Sequence, residues 1–469
     1  MLGLGIGPAI ARADSPPPLK HVFVIVLENK GFDETFGPTS PAPYLSRTLT
    51  SQGDLLTQYF GIGHNSLDNY VAMVSGQGPN AVTQSDCQTF QDFVGAPMLD
   101  ADGQALGQGC VYPTAVQTIA DQLDARSISW KGYMEDMGTA CRHPALNSPD
   151  STQQAKVGDE YAARHDPFVY FHTIIDDPAR CDAHVVDFSQ LSHDLQSAST
   201  TPSFSFITPN LCDDGHDAPC VDGRPGGLVS TDAWLQSVVP QILNSPAMAD
   251  GMLVVTFDEA ETSGAGRDAS ACCNQPTYPN TPAGGGQSGG AGGGRTGAVV
   301  ISPYVQPGTV DMTPYNHFAL LRSLENVFGV SHLGYAARSN LAAFGPDVYG
   351  RAASPGPIPG VAMRPVSGGG PSVIACTHKR LPRAHHRRLP RGAIIGSARV
   401  QRRAHRRPRL LVRVIRPARL YVRTVSGRRI GPRHTRGCRI YAVTLPARHG
   451  RVRLAASVAR GTERRVVRY

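Results

Sequence analysis

Four apolar runs punctuate the first three hundred residues, and each stops abruptly at a polar or turn-forming residue. Residues 21–27 read His-Val-Phe-Val-Ile-Val-Leu and end at Glu28-Asn29; residues 252–257 read Met-Leu-Val-Val-Thr-Phe and end at Asp258-Glu259. Residues 203–208 close on Pro209-Asn210, and residues 298–302 close on Pro303. Short unbroken apolar runs fit strands buried on both faces of a parallel sheet. Between them the apolar spacing becomes helical, over 115–123, 233–243 and 317–328. The last follows Thr313-Pro314, a pair suited to a helix start. Strands alternating with helices predict the α/β class: a three-layer α/β/α sandwich built on a mostly parallel sheet.

Beyond residue 376 the pattern changes. Residues 410–415, 419–425 and 439–445 alternate apolar with polar positions, and Gly or Pro lies between them. This predicts a small antiparallel β module. Charge marks the same division. From residue 371 onward 28 Lys and Arg face one acid, Glu463, a formal +27, whereas the remainder of the 469-residue chain carries 17 basic and 36 acidic residues, −19. The overall +8 is an average of two unlike parts. The expected organisation is an N-terminus of 1–18, a main domain of 19–365, a linker of 366–375 around Ser367-Gly368-Gly369-Gly370-Pro371, and a basic β domain of 376–469.

The first eighteen residues hold a short apolar run ending in Ala11-Arg12-Ala13, which reads as the remnant of a signal peptide. The ten cysteines, an even number without zinc-finger spacing, agree with a secreted, oxidised chain. Cys212 with Cys220 and Cys376 with Cys438 are the expected pairs, and the adjacent Cys272 and Cys273 are expected to serve different partners. The glycine-rich stretch 282–297 lacks the Lys-Ser/Thr ending of a phosphate-binding P-loop and reads as a mobile loop.

Sites in α/β sheets gather at the carboxyl ends of strands. Here those ends carry Glu28-Asn29, the segment from Asn210 to Asp214, and Asp258-Glu259. A single carboxylate after a strand is ordinarily a solvated loop or a cap; three such clusters point to metal or substrate ligation. Ser66, in Gly63-His64-Asn65-Ser66-Leu67-Asp68-Asn69-Tyr70, enters an apolar helical segment. A hydroxyl there is either a helix cap or a nucleophile in the positive end of the helix dipole. No G-x-S-x-G elbow surrounds it, so metal activation is the favoured route to a reactive serine.

Glu28-Asn29-Lys30-Gly31-Phe32-Asp33 with Phe36-Gly37 resembles the opening motif of the bacterial phosphoesterase family. That family holds acid phosphatases and phosphatidylcholine-type phospholipases C, within the alkaline phosphatase superfamily. Ser66-Leu67-Asp68-Asn69-Tyr70 is similar to the nucleophile motif of related phosphatases. Further matches are Arg164-His165-Asp166-Pro167-Phe168, the segment 209–217, 255–259 and 315–322. Gly31, Asp68 and Asp166 depart from the usual Ser, Pro and Asn.

The resemblance implies an alkaline-phosphatase-like core and one or two divalent metal ions. It implies Ser66 as catalytic nucleophile, Glu28, Asp214, His216, Asp258, Glu259 and His317 as metal ligands, and Asn29, Asn69 and His165 as substrate contacts. Carboxylate and imidazole donors do not by themselves decide the metal. The expected protein is a secreted phosphomonoesterase, an acid-phosphatase-like enzyme for phosphoinositides or other small phosphate esters, working through a phosphoserine. The alternatives are a phospholipase C-type phosphodiesterase and a non-catalytic envelope-binding protein. The basic tail suits an anionic membrane or envelope surface; without an aromatic stacking platform it does not favour nucleic acid.

Overall fold

A computed structural model describes residues 16–350 apart from 265, 287 and 288, and beyond 394 the backbone of eight strands. The chain divides into two units, Met1–Arg364 and Pro365–Tyr469. The expected signal remnant before residue 16, the linker and the Cys376–Cys438 pair lie outside the described residues.

The first unit is built on an eight-stranded sheet. Its strands are β1 (His21–Leu27), β2 (Asp54–Leu56), β3 (Trp130–Met134), β4 (Val185–Asp187), β5 (Phe204–Thr208), β6 (Gly251–Phe257), β7 (Ala298–Ile301) and β8 (Thr309–Asp311), in the spatial order β8-β2-β7-β6-β1-β5-β3-β4. From β6 across to β4 neighbouring strands are parallel, whereas β7 runs antiparallel to both β6 and β2. The apolar run at 298–302 therefore forms a buried strand of opposite sense, a distinction that hydrophobicity does not encode.

Alternation along β1 sends Val22, Val24 and Val26 into one core and Phe23, Ile25 and Leu27 into another. On the first face lie α1 (Ser66–Ser75), α2 (Ile119–Asp124) and α4 (His317–Phe328); on the second lies α3 (Gly227–Leu243). These are the three layers of the sandwich. Every residue of α1 is buried, and Gly76 ends the helix with φ 69°, a conformation glycine adopts without a Cβ penalty. Helix α4 is capped by Asn316, whose side chain accepts from the Ala319 N–H, and not by Thr313-Pro314, which precede the short strand Tyr315–Asn316.

Glycine-rich 282–297 is not the expected free loop where it is described. Gly61 N–H donates to Gly294 O at 2.9 Å, Gly293 N–H returns to Gly61 O at 3.2 Å, and Ala260 N–H reaches Gly293 O at 2.8 Å. A Cβ on Gly293 would lie 2.2 Å from Gly63 O, so backbone packs directly on backbone beside the serine loop.

Disulfides join Cys87–Cys110, Cys141–Cys181 and Cys212–Cys220; Cys272 and Cys273 are bonded to each other and not to separate partners. No helix among the described residues is long and apolar enough to cross a membrane.

In the second unit Arg406–Val414 pairs antiparallel with Ile395–Arg403 and Arg439–Thr444. A separate sheet pairs Ala418–Thr424 with Arg451–Val458, which in turn pairs with Gly461–Arg468. The alternating segments of the tail are thus strands of a β module.

Candidate active site

Strand register places the key carboxylates. Leu27 pairs with Phe257 in parallel β1 and β6, so Glu28 and Asp258 leave adjacent strand ends side by side. Asp258 N–H donates to Leu27 O at 2.9 Å, and Glu28 N–H donates to Asp214 O at 2.9 Å. Asn29, at φ 54°, turns its N–H to Asp258 Oδ1 at 3.0 Å. The chain downstream of β5 supplies Asp214, whose Oδ1 accepts from His216 N–H at 2.7 Å.

His165 completes the group. Its Nδ1 lies 3.2 Å from Asp214 Oδ2 and its Nε2 lies 3.5 Å from Glu28 Oε2. The ring stacks on Tyr70 with centroids 5.3 Å apart. One donor atom each from Glu28, His165 and Asp214 lie within 4.8 Å of one another. Asp214 Oδ2, Asp258 Oδ2 and both nitrogens of His165 are buried without a hydrogen-bond partner.

The electrostatics of the group bear on whether it could hold a cation. Burial, followed by the neighbouring Asp258 and Asp214, pushes the Glu28 carboxyl well above its ordinary value. Burial likewise raises Asp214 strongly and Asp258 to about 8. His165 is driven the other way, first by burial and then by Arg164 and His216, so its ring is neutral and carries an available lone pair. Three buried carboxyls, a neutral imidazole and orphaned donor atoms are a set that fits a divalent cation.

Ser66 opens α1 and donates its hydroxyl to Glu28 Oε2 at 2.8 Å. Tyr70, one turn later on the same helix face, donates to Glu28 Oε1 at 2.5 Å. The helix start is capped from outside: Leu67 N–H donates to Asp86 Oδ1 at 3.0 Å, while Asn65 makes no side-chain cap. Ser66 is therefore not serving as the cap, and its hydroxyl is directed at the acidic cluster.

Glu28, Asp214 and Asp258 thus lie together beside Ser66, and the His165 nitrogens lie within 3.5 Å of two of the carboxylates. Glu259, His317, His216 and Asn69 bond other partners. Glu259 bonds His64 Nδ1, while His64 Nε2 contacts Asp268 O at 2.9 Å. His317 is buried with Nδ1 on the Tyr59 hydroxyl at 3.0 Å and Nε2 on Asp258 O at 2.5 Å, so both ring nitrogens are taken. His216 Nδ1 bonds Asp217 Oδ1 at 2.7 Å and its Nε2 faces Arg164 Nη2 at 3.4 Å. Asn69 stitches the serine loop together, accepting from Ile62 and Gly63 N–H and donating to Gly63 O and Asn65 O. The side-chain oxygen of Asn29 is buried without a partner among the described residues.

Tyr70, Arg164 and Asp86 were not singled out from the sequence. Tyr70 was legible from its i+4 spacing to Ser66, and Arg164 from its place before His165. Asp86 had no sequence signal.

The acidic, serine-bearing site thus lies at the strand ends of a three-layer α/β/α sandwich. The family model of the phosphoesterase family matches residues 39–331, and the chain belongs to that family. It is 27% identical over 315 residues to a probable acid phosphatase of Kluyveromyces lactis, covering 67% of this chain and 59% of that protein. It is 29% identical over 318 residues to the phosphate-repressible acid phosphatase of Penicillium chrysogenum, covering 66% and 59%. Against the phosphatidylinositol-3-phosphatase of Mycobacterium tuberculosis it is 25% identical, covering 72% of this chain and 86% of that one. The chain thus spans about three fifths of the two fungal relatives. Among solved structures, a protein of the alkaline phosphatase superfamily from Vibrio parahaemolyticus overlaps 69% of this chain and 71% of its own at TM-score 0.40 and 14% identity.

Proposed function

We propose that the protein is an extracytoplasmic, metal-dependent phosphomonoesterase with Ser66 as nucleophile. The observation that carries this reading is the Ser66 hydroxyl bonded to Glu28 beside orphaned donors of His165, Asp214 and Asp258. The relatives named acid phosphatase and phosphatidylinositol-3-phosphatase favour monoesters over the phospholipase C alternative. The disulfides support an oxidising compartment. The +27 of the C-terminal part supports its contact with an anionic surface.

A divalent cation held by Glu28, His165, Asp214 and Asp258 would supply the positive charge that activates the hydroxyl and draws off phosphoryl charge. Tyr70 and the Ser66 hydroxyl fix both oxygens of Glu28, so the carboxylate cannot rotate out of the site. Ser66 Oγ loses its proton toward Glu28 and attacks phosphorus in line, the ester P–O bond breaks, and the alcohol leaves. Water then cleaves the phosphoserine, releasing phosphate and restoring the hydroxyl. The neutral His165 ring, clamped on Tyr70, keeps its lone pair directed into the cluster.

The test uses a chromogenic phosphate monoester. Turnover is expected to vanish with a chelator, return on adding a divalent metal, and be absent in Ser66→Ala. Full turnover by Ser66→Ala would remove the assignment.

A further inference from the structure

Arg164 is a buried cation that the mechanism above leaves unused. It is 3% exposed, yet among the described residues its guanidinium makes no ion pair with a carboxylate. Its Nη1 donates to Gln153 O at 3.1 Å and its Nη2 donates to His216 Nε2 at 3.4 Å. Among the described residues no other acceptor engages its remaining N–H donors. Burying a guanidinium without a counter-ion is unfavourable unless an anion completes it. A fork of N–H donors pairs best with a planar or tetrahedral oxyanion that presents two oxygens.

The position is specific. Arg164 directly precedes His165, whose ring touches both Glu28 and Asp214. Its positive charge is felt by Glu28, Asp86 and Asp214, lowering each carboxyl against the upward push of burial. It therefore stands beside the acidic cluster that surrounds Ser66 without being neutralised by direct contact with it.

Its tether is equally specific. Because His216 Nε2 accepts from Arg164, the proton of that ring sits on Nδ1, where Asp217 Oδ1 accepts it at 2.7 Å. Asp217 is itself anchored, its N–H to Leu211 O at 2.9 Å and its carbonyl to Gly227 N–H at 2.8 Å. The Cys212–Cys220 disulfide brackets both His216 and Asp217.

We propose that Arg164 binds the phosphoryl oxygens of the substrate, that His216 and Asp217 form a positioning pair for it, and that this guanidinium favours the doubly charged phosphomonoester over the singly charged diester. The inference rests on the reading of the Ser66 site as a phosphoesterase centre. It gives His216 a role through Arg164 in place of metal ligation.

The experiment compares full-length wild type, Arg164→Ala, Arg164→Lys, His216→Ala and Ser66→Ala. Inorganic phosphate binding is measured by calorimetry, metal content by elemental analysis, and kcat/KM on a chromogenic monoester and its methyl diester. Arg164→Ala is expected to lose about 100-fold in monoester kcat/KM, about tenfold or less on the diester, and most phosphate affinity, with metal content unchanged. Added guanidinium ion is expected to restore part of the monoester rate to Arg164→Ala. His216→Ala is expected to lose about tenfold on the monoester with full metal content. If Arg164→Ala does not fold, Arg164→Lys carries the same test, with weakened phosphate affinity expected.

Wild-type phosphate affinity and monoester selectivity in the Arg164 variants would overturn the inference, as would loss of bound metal in His216→Ala. The Ser66→Ala arm separates the two readings. If it is inactive but binds phosphate while Arg164→Ala also binds normally, the role of Arg164 fails alone. If Ser66→Ala still turns over, the phosphoesterase reading of that serine fails.

Discussion

Ser66 and Glu28 meet across 2.8 Å although 38 positions separate them. One residue ends the central strand of the sheet and the other begins the most deeply buried helix. The contact exists because β1 points its carboxyl end at the N-terminus of α1, and because Asp86, not Ser66, caps the helix start. A serine relieved of capping is available for chemistry.

Tyr70 holds the other oxygen of the same carboxylate. Tyr70→Phe leaves one oxygen of a buried carboxyl without its donor, a loss of about 1–3 kcal/mol in stability. Turnover is expected to fall about tenfold as Glu28 gains rotational freedom. Denaturant unfolding and initial rates on a monoester check both numbers.

Removing Glu28 as a charge separates metal binding from folding. Glu28→Gln keeps the shape and eliminates one of three buried carboxyls that repel one another. Turnover is expected to drop about 1000-fold together with bound metal. The melting temperature of the metal-free protein is expected to hold or rise. Elemental analysis and calorimetry of the chelator-treated variant decide the matter.

The Cys212–Cys220 disulfide closes a short loop that contains Asp214, His216 and Asp217. Replacing both cysteines by serine is expected to cost about 2.5 kcal/mol on the chain-entropy account. The activity loss is expected to exceed that of the Cys87–Cys110 double variant, whose loop carries none of the site residues. Urea unfolding and kcat/KM for the two double variants make the comparison.

Glu325 on α4 provides a pH signature remote from the site. It is fully buried; Oε1 accepts from Leu333 N–H at 2.7 Å, and Oε2 has no partner among the described residues. Burial raises its pKa from 4.5 to about 9. A folded-state pKa above the unfolded one means that the folded protein holds the proton more tightly. Stability from this residue is therefore complete below pH 4.5 and is lost progressively as pH rises toward 9. Glu325→Gln is expected to remove that slope, so its melting temperature overtakes wild type as pH rises. Thermal unfolding between pH 5 and pH 9 reads the crossing.

The strands, the α/β layering and the acidic strand ends were legible because a buried parallel strand needs a continuous apolar run and an abrupt stop. That rule points to the strand-end segments that hold Glu28, Asp214 and Asp258, and the family resemblance picks out these three within them. Side-chain partners did not follow, since they depend on register and loop path. Glu259, next to Asp258, faces away toward His64; successive residues leaving a strand do not share a direction. His317 begins α4 as expected, but Tyr59 and the Asp258 carbonyl occupy its ring. Asn69 reads as a phosphate contact by motif and serves as a loop tie by geometry. The antiparallel sense of β7 and the bond between Cys272 and Cys273 are likewise matters of chain path. Arg164 stood in a quoted motif, and what singles it out is its burial without a counter-ion.

The most direct test of the account is acid-quench mass spectrometry of the wild-type protein during turnover of a phosphate monoester. A phosphate on the peptide containing Ser66, absent without substrate and absent in Ser66→Ala, is the predicted result. Rapid turnover with that peptide unmodified at every quench time, or a phosphate on another residue, would contradict it.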